Sequence, residues 1–439
     1  MHYNLVKASN RRYLEELKNR GHEMKPLYDA VNIMQDTEWV INKRVYDVIV
    51  KLIETDNPLG KLPVNPQHIE LPIKPVDIET NKESLVRWKR EASLVYKERA
   101  KSKSKYIQVR QILEEARLLL NRSFFYPYQL DFRSRIYPKP AMLSPQGADY
   151  SRALLKFKYG KQMKENNSFE AFAVAGAGLY GEVDKEDIET RLKWVEDNMQ
   201  RFINCAKEPL TDTDWSKADK PFSFLAWCFE LKDFADTDYD ASFITTLPIQ
   251  SDCSNSGLQH YSAMMRDPIG GKATNLTPSN KPQDVYRIVA EKVKMKLRDK
   301  SDEMAKLWLE YGVDRKLCKK PVMCLPYSLT QYSCRQYLQD HVEKEFKERG
   351  VQHKFGRDLF KATNYLTPVV WEAINEVILG AKKIMKFLKE VSRLVASENL
   401  PVCWTTPSPL NFPVQMMCYK KESKRVKTKM GDSIIKLSI

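Results

Sequence analysis

The apolar positions of this chain fall mostly into stretches of helical spacing, broken by a few short runs that alternate. Asp36–Ile53 places apolar residues three and four apart, as one face of a helix requires. Ser84–Leu120 is a charged pattern with no glycine or proline, which predicts one long helix. Residues 1–120 read as helical, with the proline-rich Asn57–Pro75 as a connecting loop. Phe124–Ile136 is aromatic, extended and punctuated by arginine, and Ser144–Gly147 reads as a turn. Helical spacing returns over Asp187–Ala206 and 221–231, and Thr245–Ile249 is a short β-like run that leads to Asp252. Mostly helix follows to about Ser397, and Pro401–Ile439 reads as strands and a hairpin. The pattern predicts an α+β chain, mainly helical, without internal repeats.

Composition narrows the class. At 439 residues with 42% apolar residues and 15 glycines, the chain can bury a sizeable core. No apolar run approaches the roughly 20 residues that span a bilayer. Met1–Asn4 resembles neither a signal nor a transit peptide, so a soluble, cytoplasmic protein is expected. Against 57 Asp+Glu stand 72 Lys+Arg, a formal charge of +15 that fits either a polyanionic partner or a solvated basic surface. The run holding Lys101, Lys103 and Lys105 can track a phosphate backbone or be an exposed helix face. None of the eight cysteines forms a C-x-x-C pair, which argues for reduced structural thiols rather than zinc ligands.

Two segments carry candidate chemistry. In Leu247–His260, Asp252 ends the β-like run before small residues and a helix. Its carboxylate and the backbone carbonyl of Cys253 can seat a hard cation, although an Asp there can equally be a helix cap. In Asp314–Tyr327, Arg315, Lys319, Met323 and Tyr327 recur every fourth residue and share one face of a helix. Two cations followed by an aromatic ring match a nucleoside triphosphate; an ordinary amphipathic helix has the same spacing. Pro321 and Pro326 argue against a regular helix here.

Together these segments resemble the single-subunit, bacteriophage-type DNA-directed RNA polymerase family, which includes mitochondrial-type members and is related to A-type DNA polymerases. The likeness rests on an Asp followed later by R-x3-K-x7-Y, on Phe125–Tyr137, Ser144–Gly147, His260–Asp267, Gln283–Tyr286 and Lys319–Tyr327. These landmarks run in family order from about Tyr28 to about Lys421. The resemblance implies a right-hand fold. Its parts would be a helical remnant over 1–40, a thumb over 41–121, the first part of the palm over 122–280, fingers over 281–400 and an incomplete promoter-specificity hairpin over 401–439.

It also implies roles. Asp252, with the Cys253 carbonyl, looks like the first metal-binding residue of a two-Mg²⁺ centre, and Arg315 and Lys319 look like the triphosphate-binding cations. Lys319 can also protonate the leaving group, and Tyr327 closes the nucleotide site and senses the 2′-hydroxyl. Tyr286, Arg133 and Arg135 fall in segments lining the active site, and Arg152 falls near the nascent hybrid. A-type DNA polymerases carry a bulky Glu five residues after the first aspartate. Gly257 stands there and leaves room for ribose; Met323 stands where those enzymes usually place an aromatic. The partners implied are a double-stranded DNA template, an RNA transcript and ribonucleoside triphosphates.

Some positions depart from the family. Ser328 replaces the usual glycine, and Asn255 replaces a smaller residue. The family's later His-Asp-Ser motif, with the second metal-binding aspartate, has no counterpart, because the sequence contains no His-Asp dipeptide; Asp432 reads as a turn residue. The chain alone is therefore expected to be inactive or nearly so. Either it is a fragment or a second polypeptide completes the palm. An A-type DNA polymerase and a non-catalytic nucleic-acid-binding remnant are the rival readings.

Overall fold

The computed structural model describes residues 5–7, 11–131, 133–163, 166–279, 281–349, 355, 358–398, 400–405, 411–414, 421–428 and 431–438. Met1–Asn4, Phe132, Cys418, Tyr419, Lys429 and Met430, which figure in the sequence reading, lie outside them. The chain divides into two compact units. One is Met1–Asp252 with Asn280–Pro282; the other is Cys253–Ser279 with Gln283–Ile439. The division at Asp252 falls inside the segment 122–280 read as palm. Among the described residues, no helix is long and apolar enough to cross a membrane.

The first unit runs β1 (Val6–Lys7), α1 (Arg11–Asn19), α2 (Lys25–Gln35), β2 (Trp39–Ile41), α3 (Lys43–Glu54), α4 (Lys82–Leu119), β3 (Tyr128–Asp131), β4 (Ile136–Pro138), α5 (Asp149–Ala153), β5 (Leu155–Phe157), β6 (Lys161–Gln162), α6 (Asn166–Tyr180), α7 (Ile188–Lys207), α8 (Pro221–Ala235) and β7 (Ile244–Thr245). The helix expected from Asp36 begins only at Lys43. Trp39–Ile41 is instead a strand antiparallel to β5, and Asn42 caps α3 by accepting from Val45 N at 3.4 Å. Residues of high β propensity packed against a partner override the helical spacing there. β3 lies between parallel β1 and antiparallel β4, and the Ser144–Gly147 turn closes with Gly147 N donating to Ser144 O at 2.9 Å.

Apolar on nearly every side, α8 lies at the centre of this unit. Its Trp227 stacks on Phe172 with ring centroids 5.2 Å apart, and Phe224 meets Phe202 edge-on at 5.1 Å. The close fit needs glycine at 176, where a Cβ would lie 2.2 Å from the Trp227 ring. The N-terminal N–H groups of Phe222 and Ser223 donate to the Asp149 carboxylate at 2.8 and 3.3 Å, joining α8 to α5. One polar side chain on α8 is buried. Glu230 accepts from Lys156 at 2.7 Å and from the hydroxyls of Thr245 and Thr246 at 2.9 and 3.2 Å.

The second unit comprises α9 (Ser256–Met265), α10 (Pro268–Ala273), α11 (Val285–Arg298), α12 (Glu303–Tyr311), α13 (Arg315–Cys324), α14 (Gln331–Arg349), α15 (Leu359–Val377), α16 (Leu379–Ser397), β8 (Val402–Thr405), β9 (Asn411–Val414), β10 (Lys421–Thr428) and β11 (Gly431–Ser438). Val285, Val289 and Val293 of α11 are buried with Leu317 and Val322 of α13 and with Leu366, Val370 and Ile374 of α15. Trp308 fills the same core and donates its indole N–H to Ala362 O at 3.0 Å. The last four strands pair as two antiparallel hairpins. Asp432 lies in β11 opposite Lys427 rather than in the turn.

Burial pushes the Cys205, Cys318 and Cys334 thiols up to about 12, and the Cys228 thiol well above its ordinary value. Such thiols stay protonated and unreactive, in keeping with a structural role.

Candidate active site

In the second unit the site is built around α13. Asp314 caps the helix, accepting from Leu317 N at 2.9 Å. Leu317, Cys318, Pro321 and Val322 turn inward, while Lys319 and Met323 are exposed and Arg315 is half-buried. The prolines do not prevent the helix: Pro321 sits inside it on the buried side, where apolar packing offsets the hydrogen bond that Leu317 O loses. Pro326 lies in the single 3₁₀ turn, Leu325–Tyr327, that ends the segment with Tyr327 71% exposed. Arg315, Lys319 and Met323 therefore lie along α13, while Tyr327 lies past its end and not on the helix that the spacing predicts.

Arg315 is held in place. Its Nε donates to Asp284 Oδ2, and its guanidinium carbon lies 5.2 Å from the centroid of the Tyr286 ring. The other Asp284 oxygen caps α11, accepting from Tyr286 N at 3.0 Å and Arg287 N at 3.3 Å. Sequence reasoning named Tyr286 and missed Asp284, although an Asp immediately before a helical valine run is a cap signal. It also missed Asn275, whose amide donates to Ser254 Oγ at 3.1 Å and Gln283 O at 2.8 Å and accepts from Gln283 N at 2.7 Å. Asn275 stitches the loop before α9 to the start of α11, a link between distant positions that no local pattern announces.

Past the end of α13, Gly257 packs on the tyrosine turn. A Cβ at Gly257 would lie 3.0 Å from Pro326 Cβ and 3.2 Å from Pro326 Cγ. Tyr261 donates to Pro326 O at 3.4 Å, and burial, with Tyr327 nearby, pushes its phenol above the ordinary range. Two departures from the family sit at strained points. Ser328 (φ 62°) and Asn255 (φ 62°) both adopt the left-handed conformation that glycine takes most readily. Asn255 is suited to it and caps α9 through Leu258 N at 3.3 Å.

The remaining candidates lie in the first unit, except Cys253, which begins the second. Arg133 is folded back on Asp131, donating from Nε at 2.9 Å and Nη2 at 2.7 Å, while the backbone N–H groups of Arg133 and Arg135 donate to the other oxygen at 2.9 and 3.0 Å. Burial pushes the Asp131 carboxyl up, but these donors outweigh it and hold the group below the usual range. Arg152 donates to Gln250 at 2.6 Å, and its Nε is buried without a partner. It lines a cavity of about 390 Å³ with Leu247–Ser251, the segment leading to Asp252. That segment is not the strand expected: β7 ends at Thr245, and 247–252 has no regular structure. Pro248, which lacks an N–H, accounts for part of this. Asp252 and Cys253 are exposed, as are Lys101, Lys103 and Lys105 on α4.

Among the described residues, no group of three or more His, Cys, Asp or Glu side chains could hold a metal ion. Asp252 offers one carboxylate and Cys253 a backbone carbonyl. Such a donor set can share one hard cation with phosphates but does not fit a two-ion centre.

The second unit thus brings together a buried helical core, the capped and cation-bearing α13 and the glycine-packed tyrosine turn. A family model for DNA-dependent RNA polymerase matches residues 162–438, and the chain belongs to that family. It is 33% identical over 444 residues to the DNA-directed RNA polymerase of Enterobacteria phage T3, covering 92% of this chain and 49% of that protein. With T7 RNA polymerase of Escherichia phage T7 the identity is 33% over 452 residues, covering 93% and 49%. The DNA-directed RNA polymerase 2, chloroplastic/mitochondrial, of Arabidopsis thaliana is 32% identical over 422 residues, covering 93% and 40%. The chain therefore spans about half the length of its phage relatives.

Proposed function

We propose that this chain forms part of a DNA-directed RNA polymerase, binding a ribonucleoside triphosphate along α13 for templated addition to an RNA 3′ end. The observation that carries this reading is the placement of Arg315, Lys319 and Met323 along α13 with Tyr327 in the turn beyond, Arg315 being fixed by Asp284 and Tyr286. A guanidinium already oriented by a carboxylate and a ring loses little freedom when it meets phosphate. Lys319 lies one turn further on, about 6 Å along the axis, and gives a second positive charge. Its ammonium is suited to protonate the departing pyrophosphate, where negative charge builds in the transition state.

Tyr327, exposed in the turn beyond α13, would face sugar and base while the cations hold the phosphates. The missing side chain at Gly257 supports ribose selection, because a Glu there would occupy the space beside the tyrosine turn. Asp252 with the Cys253 carbonyl would hold Mg²⁺, supplying charge neutralisation. A two-ion centre needs a further carboxylate, from the rest of a longer polypeptide or from a second one. On this reading 41–121 is the thumb, 122–280 palm, 281–400 fingers and 401–439 part of the promoter-specificity hairpin. Arg133, Arg135, Arg152 and the lysines of α4 then contact nucleic acid.

The test is RNA-primed extension on a DNA template, with this chain joined to or mixed with a segment supplying a second carboxylate. Only templated ribonucleotides should be added, and Lys319→Ala should slow addition on the order of 10²-fold. Tyr327→Phe should raise deoxynucleotide incorporation relative to ribonucleotide. Untemplated addition, or an unchanged rate in Lys319→Ala, would remove the reading.

A further inference from the structure

The first two-thirds of α4 bury almost nothing: up to Val109, only Ala92 is fully buried. One flank is covered by the preceding loop. Trp88 donates its indole N–H to Pro72 O at 2.8 Å, Arg99 Nε donates to Ile69 O at 2.5 Å, and the Ser102 hydroxyl donates to Val64 O. Beside that flank runs an open groove of about 450 Å³. It is lined by Trp88, Lys89, Ala92, Tyr96, Lys97 and Ala100, with Ser93. Its floor is the small side chain of Ala92, and its walls are two aromatic rings and two lysines, with no carboxylate. Tyr96 is 56% exposed.

The helical repeat extends this face. Lys89, Tyr96 and Lys103 follow one another at seven-residue spacing, so they share a line two turns apart at each step. At 3.6 residues per turn, Glu91 and Glu98 fall on the far side of the helix. The groove side therefore carries only cations, while Arg87, Arg90, Lys101 and Lys105 share the far side with the carboxylates of this stretch. A merely solvated helix mixes both signs around its circumference. Each lysine lies about 10 Å along the axis from Tyr96, about three base steps at the 3.4 Å rise of a stacked strand.

We propose that this groove is a track for single-stranded nucleic acid, with bases stacking on Tyr96 and Trp88 and phosphates meeting Lys89, Lys97 and Lys103. Aromatic faces set among cations suit a single strand, whose base faces are accessible. A duplex hides those faces and would use the lysines alone. The track gives Lys103 a partner chemistry and adds Trp88, Lys89, Tyr96 and Lys97 to it. It depends on the polymerase reading only for the source of the strand and requires no catalysis.

The experiment is fluorescence anisotropy of the whole chain with a short single-stranded RNA, the same sequence as single-stranded DNA, and a DNA duplex. Binding is measured in EDTA without nucleotides, so failure here leaves the triphosphate site untouched. Tyr96→Ala should weaken single-strand binding roughly tenfold while duplex binding stays unchanged, and Tyr96→Phe should retain wild-type affinity. Lys103→Gln should lower the slope of affinity against salt by about one. Parallel loss on RNA and DNA supports a strand-tolerant track, and loss on one alone supports a track selective for it. Tyr96 is exposed, so thermal unfolding of Tyr96→Ala should match wild type. An RNA carrying 5-iodouracil should crosslink to the peptide containing Tyr96. The proposal is overturned if no single strand binds, if Tyr96→Ala leaves single-strand affinity intact, if it weakens duplex binding equally, or if crosslinks form only elsewhere.

Discussion

One carboxylate oxygen of Asp284 caps α11, and the other holds the Arg315 guanidinium at the start of α13. The helix start and the position of Arg315 therefore depend on a single side chain that is only 9% exposed. Replacing Asp284 by Ala should lower stability by about 1–2 kcal/mol, the worth of a helix cap. Asp284→Asn should keep most of that stability, because Asn caps as well as Asp, yet should release Arg315. Denaturant unfolding of the two variants, set beside their triphosphate affinities, separates the two roles. Equal stability loss in both would contradict the cap.

Gly257 packs tightly against the tyrosine turn. Gly257→Ala places a Cβ 3.0 Å from the ring of Pro326, a neighbour with no flexible end to swing aside. The expected cost is about 1–3 kcal/mol, read as a lower denaturation midpoint. The same substitution should weaken ribonucleotide binding more than deoxyribonucleotide binding in competition.

Glu230 is a buried carboxylate joined to Lys156 and to Thr245 and Thr246, so it ties α8 and β5 to the segment that continues to Asp252. Glu230→Ala leaves the lysine uncompensated and should cost about 3 kcal/mol in chemical denaturation. Glu230→Gln keeps acceptors for the threonines and should cost less.

Asp131 makes stability depend on acid. Its folded carboxyl lies below the unfolded value of about 3.9, so the contribution is complete above that pH. It should disappear as pH falls from there through the lowered folded value. Asp131→Asn should reduce the acid sensitivity of unfolding in that window and leave sensitivity above it unchanged.

The long helices were legible because their spacing and caps are local. The run over 84–120 maps onto Lys82–Leu119, and 187–206 maps onto Ile188–Lys207. Trp39–Ile41 was not, because its pairing with Leu155–Phe157 is set by residues more than a hundred positions away. The same holds for the site. The four-residue rhythm of Arg315, Lys319, Met323 and Tyr327 is written in the sequence, whereas Asp284, Asn275 and Pro326 act only through folding. Pro321 misled for a related reason: a proline weakens a helix in isolation but is tolerated where packing supports it.

Whether α13 binds nucleotide through its phosphates is open to direct measurement. The most direct measurement is equilibrium binding of a ribonucleoside triphosphate and the matching monophosphate to the chain and to Lys319→Ala. Tighter binding of the triphosphate is expected, with the preference falling about tenfold or more in Lys319→Ala, as loss of a charge-assisted contact implies. Equal affinity for the two nucleotides, or a preference that survives Lys319→Ala unchanged, would contradict it.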